Sequence, residues 1–252
     1  IDGTFVDAVP VISAPATFAQ DEDVPVVIAP SISISDADVA GMSNTFEVKL
    51  TVTSGTLAMS TTTGLVFSVG TPAGGVATTT FQGSPADVNA ALATLVYTAP
   101  SAHWWGTDTL VIDVDDLQNG LCDSKTSSAS VAITVNAVND PPTVSVTDFS
   151  ADEDVATAVP AVSVADVDID GGEGTGEFHV RLQTVNGKVT AAVAGTATVS
   201  GGLETGSKDA HIYANPTDMA TMLGSLTYQG DLDYNGADTI TVTVLDQGNH
   251  GS

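Results

Sequence analysis

Residues 106–110 read GTDTL, and residues 236–240 read GADTI. Two further pairs of stretches match in the same way: DEDV at 21–24 and 152–155, and FEVKL at 46–50 against FHVRL at 178–182. The starts of the three pairs are 130, 131 and 132 residues apart. Self-similarity at a nearly constant spacing is the signature of a repeated structural unit. The sequence therefore predicts two copies of one domain.

Within each copy, short segments alternate between apolar and polar residues. Residues 46–52, 110–114 and 130–138 follow this pattern, and clusters of Gly, Pro, Asn and Asp separate them. Alternation with a period of two is typical of strands that bury one face. We therefore predict an all-β chain of two tandem β-sandwich domains.

One short helix is expected in each copy. Ser84-Pro85 and Asn215-Pro216 each place a capping residue directly before a proline. This order is typical of a helix N-terminus, because the cap accepts a backbone N–H and proline has none to leave unsatisfied. The apolar residues that follow are expected to join the core rather than to hold a cofactor.

The two copies meet at residues 138–142, which read VNDPP. Paired prolines stiffen a connection and remove backbone donors. The predicted boundaries are 10–138 for the first domain, 139–142 for the linker and 143–252 for the second domain. Residues 1–9 are interpreted as the end strand of a preceding repeat or as a donor strand.

An acidic loop lies near the start of the second copy, where residues 166–177 read DVDIDGGEGTGE. Asp166, Asp168 and Asp170 alternate, a glycine stands sixth and Glu177 stands twelfth, which is the spacing of a calcium-binding loop. The flanking residues have the pattern of strands, so we expect a calcium loop between strands. The alternative is a solvated acidic surface loop. The first copy has Ala40 where the second has Asp170, so its loop is expected to bind metal more weakly.

The charge of the chain is strongly negative. Five Lys and Arg stand against 31 Asp and Glu, for a net charge of −26. Such a surface excludes general binding of nucleic acid or of an anionic membrane, and no apolar run is long enough for membrane insertion. Cations are the expected partners. Adaptation to high salt would also produce this composition.

No motif of a common enzyme class is present. The four histidines have no metal-ligand spacing, and Cys122, the lone cysteine, is expected to be a small, partly buried side chain. Trp104-Trp105 is the one unusual aromatic pair. Trp104 is expected to pack against the core. Trp105 is expected to be a partly covered residue at the rim, and the alternative is an exposed indole that contacts a sugar or a protein. We predict that the protein is not an enzyme.

Residues 111–120 read VIDVDDLQNG, and residues 131–142 read VAITVNAVNDPP. Together they resemble the end of a cadherin repeat and its linker, most closely in the cadherin-like tandem repeats of large bacterial and algal cell-surface proteins. This resemblance implies an immunoglobulin-like Greek-key sandwich in each copy. It also implies calcium at the joint between consecutive repeats. Neither copy contains the Asp-Arg-Glu motif of that family.

The resemblance assigns calcium ligands residue by residue. At the joint they are Glu22, Asn139, Asp140, Asp166, Asp168 and Asp246, with Asp170 and Glu177 added from the acidic loop. At the outer end of the first copy they are Asp36, Asp38 and Asp116. Glu153 is expected to face a further domain.

The implied function is a structural or adhesive segment of a long extracellular cell-surface protein or filament, with Ca²⁺ stiffening the rod. The alternative is a carbohydrate- or protein-binding module that uses calcium and Trp105. A secreted hydrolase is a third hypothesis. The expected partners are neighbouring repeats or head-to-tail copies, together with surface glycans or proteins.

The second copy ends before any counterpart of residues 130–138, so its sandwich is expected to have an open edge. Residues 4–9 read TFVDAV and resemble ITVNAV at 133–138. Two arrangements follow. The first segment of one chain completes the second domain of the next chain, or neighbouring repeats of a longer array supply the missing strand. The array is the preferred expectation.

Overall fold

A computed structural model describes residues 8–24, 26–27, 32–37, 45–117, 124–170 and 176–247. Asp38, Cys122 and residues 1–7 therefore lie outside the described residues, as does the side chain of Asp170. The chain divides into two compact units, unit 1 over Ile1–Ala137 and unit 2 over Val138–Ser252.

Unit 1 is built from short strands around one helix. Its strands are β1 Val11–Ser13, β2 Thr17–Asp21, β3 Val26–Val27, β4 Ser33–Ser35, β5 Phe46–Thr51, β6 Thr56–Met59, β7 Val66–Val69, β8 Thr78–Gly83, β9 Leu95–Thr98, β10 Gly106–Asp115 and β11 Thr126–Asn136. Helix α1 covers Pro85–Leu92, and a 3₁₀ turn covers Pro72–Gly74.

The sheets of unit 1 form a sandwich. One sheet has the order β2-β11-β10-β5-β8-β7, a second has the order β3-β9-β6, and β1 pairs with β4. β11 runs antiparallel to β10 and parallel to β2. Side chains alternate between the two faces of a strand. Strands β5, β10 and β11 accordingly bury one set of apolar residues in the core, including Val48, Leu50, Ile112 and Ile133.

Helix α1 begins as the sequence predicts. The Ser84 hydroxyl accepts the backbone N–H of Asp87 at 3.2 Å, and Pro85 occupies the first turn. Val88 and Leu92 are buried against the sheets. The helix therefore contributes to the core, as does its counterpart in unit 2.

Unit 2 repeats this plan with fewer strands. They are β12 Thr143–Ser145, β13 Thr157–Ala158, β14 Ser163–Ala165, β15 Phe178–Gln183, β16 Gly187–Thr190, β17 Thr198–Ser200, β18 Asp209–Ala214, β19 Thr227–Gly230 and β20 Thr241–Leu245. The helices are α2 Val167–Asp170 and α3 Pro216–Gly224. The sheets have the orders β17-β18-β15-β20 and β13-β19-β16, and β12 pairs with β14.

The predicted fold class, an all-β chain of β-sandwich units each with a short capped helix, is confirmed. The four-residue turn α2 adds to this plan within the acidic loop. Of the helices that the structure describes, none has the length and apolar character to cross a membrane.

Candidate metal centre

Two buried carboxylates lie directly after strand β14. Asp166 is 4% exposed and Asp168 is 6% exposed. The backbone N–H groups of Asp168 and Ile169 both donate to Asp166 Oδ1, at 2.9 and 3.3 Å. These bonds stabilise the first turn of α2, so the alternation of Asp and Val or Ile produces a helical turn here rather than an extended loop.

The linker residues join this pair within unit 2. The backbone N–H of Asp140 donates to Asp168 Oδ2 at 2.7 Å, and Asn139 Nδ2 donates to Asp246 Oδ2 at 2.8 Å. Asp246 directly follows β20. Five of the predicted ligands, from three separate parts of the sequence, therefore belong to one hydrogen-bonded cluster, which we call the linker cluster.

The surroundings of Asp166 disfavour the negative charge of its carboxylate. Burial raises the pKa of Asp166, the neighbouring charges of Asp168 and Asp246 raise it further, and its two backbone hydrogen bonds offset only part of this effect. In unit 2, Arg181 forms an ion pair with Asp209 and Lys208 forms one with Asp231, both outside the cluster. A divalent cation with a preference for oxygen would offset the negative charge of the carboxylates in the cluster.

Two further predicted ligands of unit 2 come from the acidic loop itself. Asp170 is the last residue of α2, and Glu177 is exposed directly before β15. Asp166, Asp168 and Asp246, all of which are described, do not form a trio of carboxylates with oxygens within 4.8 Å of one another. The fit to calcium therefore depends on the oxygen donors and on the buried charge rather than on a compact cage.

Unit 1 holds the other predicted ligands. Glu22 is buried directly after β2, and its backbone N–H donates to the carbonyl of Asn136 at 2.9 Å. Asp36 is half-buried after β4. Asp116 is buried after β10, where its Oδ1 accepts the backbone N–H of Lys125 at 2.9 Å.

A second acidic group in unit 2 is compact and exposed. Oxygens of Glu153, Asp154 and Asp233 lie within 4.8 Å of one another. The backbone N–H of Asp233 also donates to Asp154 Oδ1 at 3.1 Å. Glu153 is the residue that the family resemblance directs toward a further domain.

Asp108 is a structural residue that the sequence reasoning missed. Its carboxylate accepts N–H bonds from Thr53, Ser54 and Gly55 at 2.9 to 3.1 Å, and the Tyr97 hydroxyl at 3.0 Å. Burial alone would raise its pKa, but these backbone hydrogen bonds lower it. Asp238 repeats the arrangement with Tyr228. The recurrence of aspartate in GTDTL and GADTI was the available signal.

The tryptophan pair divides as predicted. Trp104 is partly buried against the core of unit 1, whereas Trp105 is 37% exposed. An indole exposed to this extent has both an apolar face and an N–H donor for a partner.

No family model matches the chain, and no curated protein matches it. Solved structures give distant similarities. One is the CsuC-CsuE chaperone–tip adhesion subunit complex of Csu pili from Acinetobacter baumannii, with 11% identity, a TM-score of 0.35, and coverage of 93% of this chain and 99% of that one. Another is the human Desmocollin-1 ectodomain, with 12% identity, a TM-score of 0.29, and coverage of 95% of this chain and 42% of that one.

An endo-fucoidan hydrolase of glycoside hydrolase family 107 is also similar, with 14% identity and a TM-score of 0.24; the match covers 95% of this chain and 28% of the hydrolase. Similarity at these scores carries no inference about what this chain does.

Proposed function

We propose that the protein is a structural and adhesive segment of an extracellular cell-surface protein or filament, in which calcium binds the linker cluster and stiffens the connection between repeats. The observation that supports this most strongly is the convergence of Asp140, Asp166, Asp168 and Asp246 within unit 2. The fold and the net charge of −26 suit such a role.

The way in which calcium would act follows from the linker contacts. Asn139 and Asp140 are tied to Asp246 and Asp168, and two prolines follow them. Without a cation the carboxylates repel one another, which weakens these ties. With a cation the oxygens share one positive centre, and residues 139–142 are held against unit 2. The linker then has less conformational freedom.

The decisive experiment is calorimetric titration of the 252-residue chain with calcium. The double variant Asp166→Asn, Asp168→Asn keeps the shape of the side chains and removes two charges. We expect its calcium affinity to fall at least about tenfold, since even residues that only orient a metal ligand change affinity by about 10- to 100-fold.

The matched control is the double variant Asp148→Asn, Glu204→Gln, which removes two charges from exposed positions of unit 2. It should retain the affinity of the parent chain. Equal losses in both variants would indicate diffuse binding to an acidic surface, and no loss in the first variant would refute the site. Spin labels on the two units, measured with calcium and with a chelator, would report the stiffening directly.

A second candidate function is a carbohydrate- or protein-binding module that uses calcium and Trp105. The partial exposure of Trp105 beside the packed Trp104 favours it. Binding on a glycan array that disappears in Trp105→Ala, but not in a variant of another exposed apolar residue such as Val66→Ala, would support this function.

A further inference from the structure

Unit 2 has an open groove along the outer edge of strand β20. It has a volume of about 760 Å³, and residues 146–153, residues 234–240 and Val242 are among those that line it. Phe149, Tyr228 and Ile240 contribute apolar surface to it. We call this feature the β20 groove.

Unit 1 shows what fills the same place. The repeat equates β10 with residues 236–245 and β2 with residues 148–152, and both segments contribute residues to the lining of the β20 groove. In unit 1, β11 lies between β10 and β2, antiparallel to β10 and parallel to β2. Its inward side chains Val131, Ile133 and Val135 are buried in the core. In unit 2, no described strand pairs with β20 on that side.

The apolar side chains beneath this position differ between the units. Leu110, Ile112 and Val114 of β10 are at most 2% exposed. Their equivalents Ile240, Val242 and Val244 are only partly buried. The three residues of unit 2 are therefore apolar, like residues of the core, but they lack the burial that β11 provides in unit 1.

The extent of strand structure in each unit also depends on whether a β11-type neighbour is present. β10 pairs with β5 over Val111–Asp115 only, so the pairing of Gly106–Leu110 comes from β11. β2 pairs with β11 alone among the strands that the structure describes. The equivalent residues 236–240 and 148–152 are not strands. These two segments, which are not strands in unit 2, are therefore the ones with which a β11-type neighbour would form backbone hydrogen bonds.

We propose that the β20 groove binds an extended peptide strand of the β11 type, with β-branched apolar residues at alternate positions. The strand runs antiparallel to β20 and parallel to residues 148–152. By the register of unit 1, its residues equivalent to Val131 and Ile133 lie opposite Ile240 and Asp238. Backbone hydrogen bonds along the open edge supply general affinity, and the inward side chains supply selectivity.

The first nine residues of a second copy fit this strand less well. Alignment of residues 4–9 with 133–138 places Asp2 at the position of Val131. A carboxylate at a buried position opposite Ile240 would be desolvated without a partner of opposite charge. The chemistry of the groove therefore favours a strand of the Ser-Val-Ala-Ile-Thr-Val kind over the first segment.

The test uses the 252-residue chain and a fluorescently labelled synthetic peptide with the sequence of residues 126–138. We expect saturable binding by fluorescence anisotropy, with slower amide hydrogen exchange in residues 148–152 and 236–245. The matched control peptide carries Val131→Asp and Ile133→Asp and should bind at least about tenfold more weakly. A third peptide has the sequence of residues 1–9.

Disulfide crosslinking checks the register independently of affinity. A chain with Cys122→Ser and Ile240→Cys should crosslink to the peptide that carries Val131→Cys, because directly opposed residues of an antiparallel pair are close enough for a disulfide. The control chain with Cys122→Ser and Thr243→Cys has its cysteine at an exposed position and should crosslink poorly.

Absence of saturable binding by the 126–138 peptide would overturn the proposal, as would equal binding by its aspartate variant. Tighter binding by the 1–9 peptide would replace the proposed occupant with the first segment of a second copy. Efficient crosslinking at Thr243→Cys rather than at Ile240→Cys would refute the proposed register.

Discussion

At the scale of single residues, Asp108 connects three parts of unit 1. Its carboxylate at the start of β10 holds the turn at residues 53–55 and the hydroxyl of Tyr97. Burial and the hydrogen bond to Asp108 raise the pKa of Tyr97 above its ordinary range. In unit 2, burial and Asp238 raise the pKa of Tyr228 to about 12. Both tyrosines therefore stay neutral donors at physiological pH.

Replacing Asp108 should destabilise unit 1 selectively. Asp108→Asn retains one acceptor oxygen but turns an amide group toward backbone N–H donors, so we expect a loss of about 3 kcal/mol in unfolding free energy. Both tryptophans lie in unit 1, so their fluorescence during chemical denaturation reports this unit. Asp113→Asn, a half-buried position on the same strand, is the control and should cost far less.

The same variant should change the acid sensitivity of unit 1. The pKa of Asp108 is lower in the folded state than in the unfolded chain, so its contribution is complete above the unfolded value of about 3.9. That contribution is lost as the pH falls through the lower folded pKa. Asp108→Asn should therefore unfold with a weaker dependence on pH below about 4 than the parent chain.

Asp166 should have opposite effects with and without calcium. Its charge is buried beside Asp168 and Asp246, so the neutral Asp166→Asn should make unit 2 more stable in chelator. The same change removes a charge that a cation would neutralise, so the additional stability on adding calcium should shrink. Hydrogen exchange of unit 2 amides at pH 7 would measure both effects. An equal stabilisation by calcium in parent and variant would contradict the placement of the metal.

At the scale of the elements, strands β15 and β18 carry a stacked ring cluster on one face. His179 stacks on Tyr213 with ring centres 4.3 Å apart, and its Nε2 lies 2.9 Å from Nδ1 of His211. Arg181 and Asp209 form a two-bond ion pair on the same strands. Burial lowers the pKa of His179, and the nearby His211 and Arg181 lower it further.

This cluster should make unit 2 less stable in mild acid. The folded pKa of His179 lies below its unfolded value of about 6.5, so the unfolded chain binds more protons just below that pH. Stability is therefore lost as the pH falls from about 6.5 toward the folded pKa. Denaturation of unit 2 at several pH values should show this slope, and His179→Gln should reduce it. His103→Gln in unit 1 is the control and should leave the slope of unit 2 unchanged.

At the scale of the whole molecule, the two copies of the repeat bury equivalent core residues to different extents. β11 covers Leu110, Ile112 and Val114 in unit 1, whereas their equivalents in unit 2 are partly buried. Burial of apolar surface is the main favourable term in folding. We therefore expect unit 2 to unfold at a lower temperature than unit 1.

Calorimetry of the chain should show two transitions, and only the second should coincide with the change in tryptophan fluorescence. Addition of the 126–138 peptide should raise the first transition and leave the second in place, because a ligand stabilises only the unit that it binds. A first transition that coincides with the tryptophan signal would reverse the expected order.

The sequence by itself determined the repeat, the all-β class and the short capped helices. Each depends on local patterns: matching stretches at a constant spacing, alternation with a period of two, and Ser84 or Asn215 before proline. It also selected Asp166 and Asp168 as a pair, since their spacing is local. These features could be predicted because the physical cause lies within a few neighbouring residues.

Tertiary structure decided the rest. Asn139 donates a hydrogen bond to Asp246 although 107 positions separate them. The carboxylate of Asp108 accepts backbone N–H bonds from a turn 53 to 55 residues away. The matching stretches GTDTL and GADTI show the limit most directly, because residues 106–110 are strand and residues 236–240 are not. A strand requires a neighbour that accepts and donates its backbone hydrogen bonds. β11 supplies that neighbour to residues 106–110, so nearly identical local sequences take different structures.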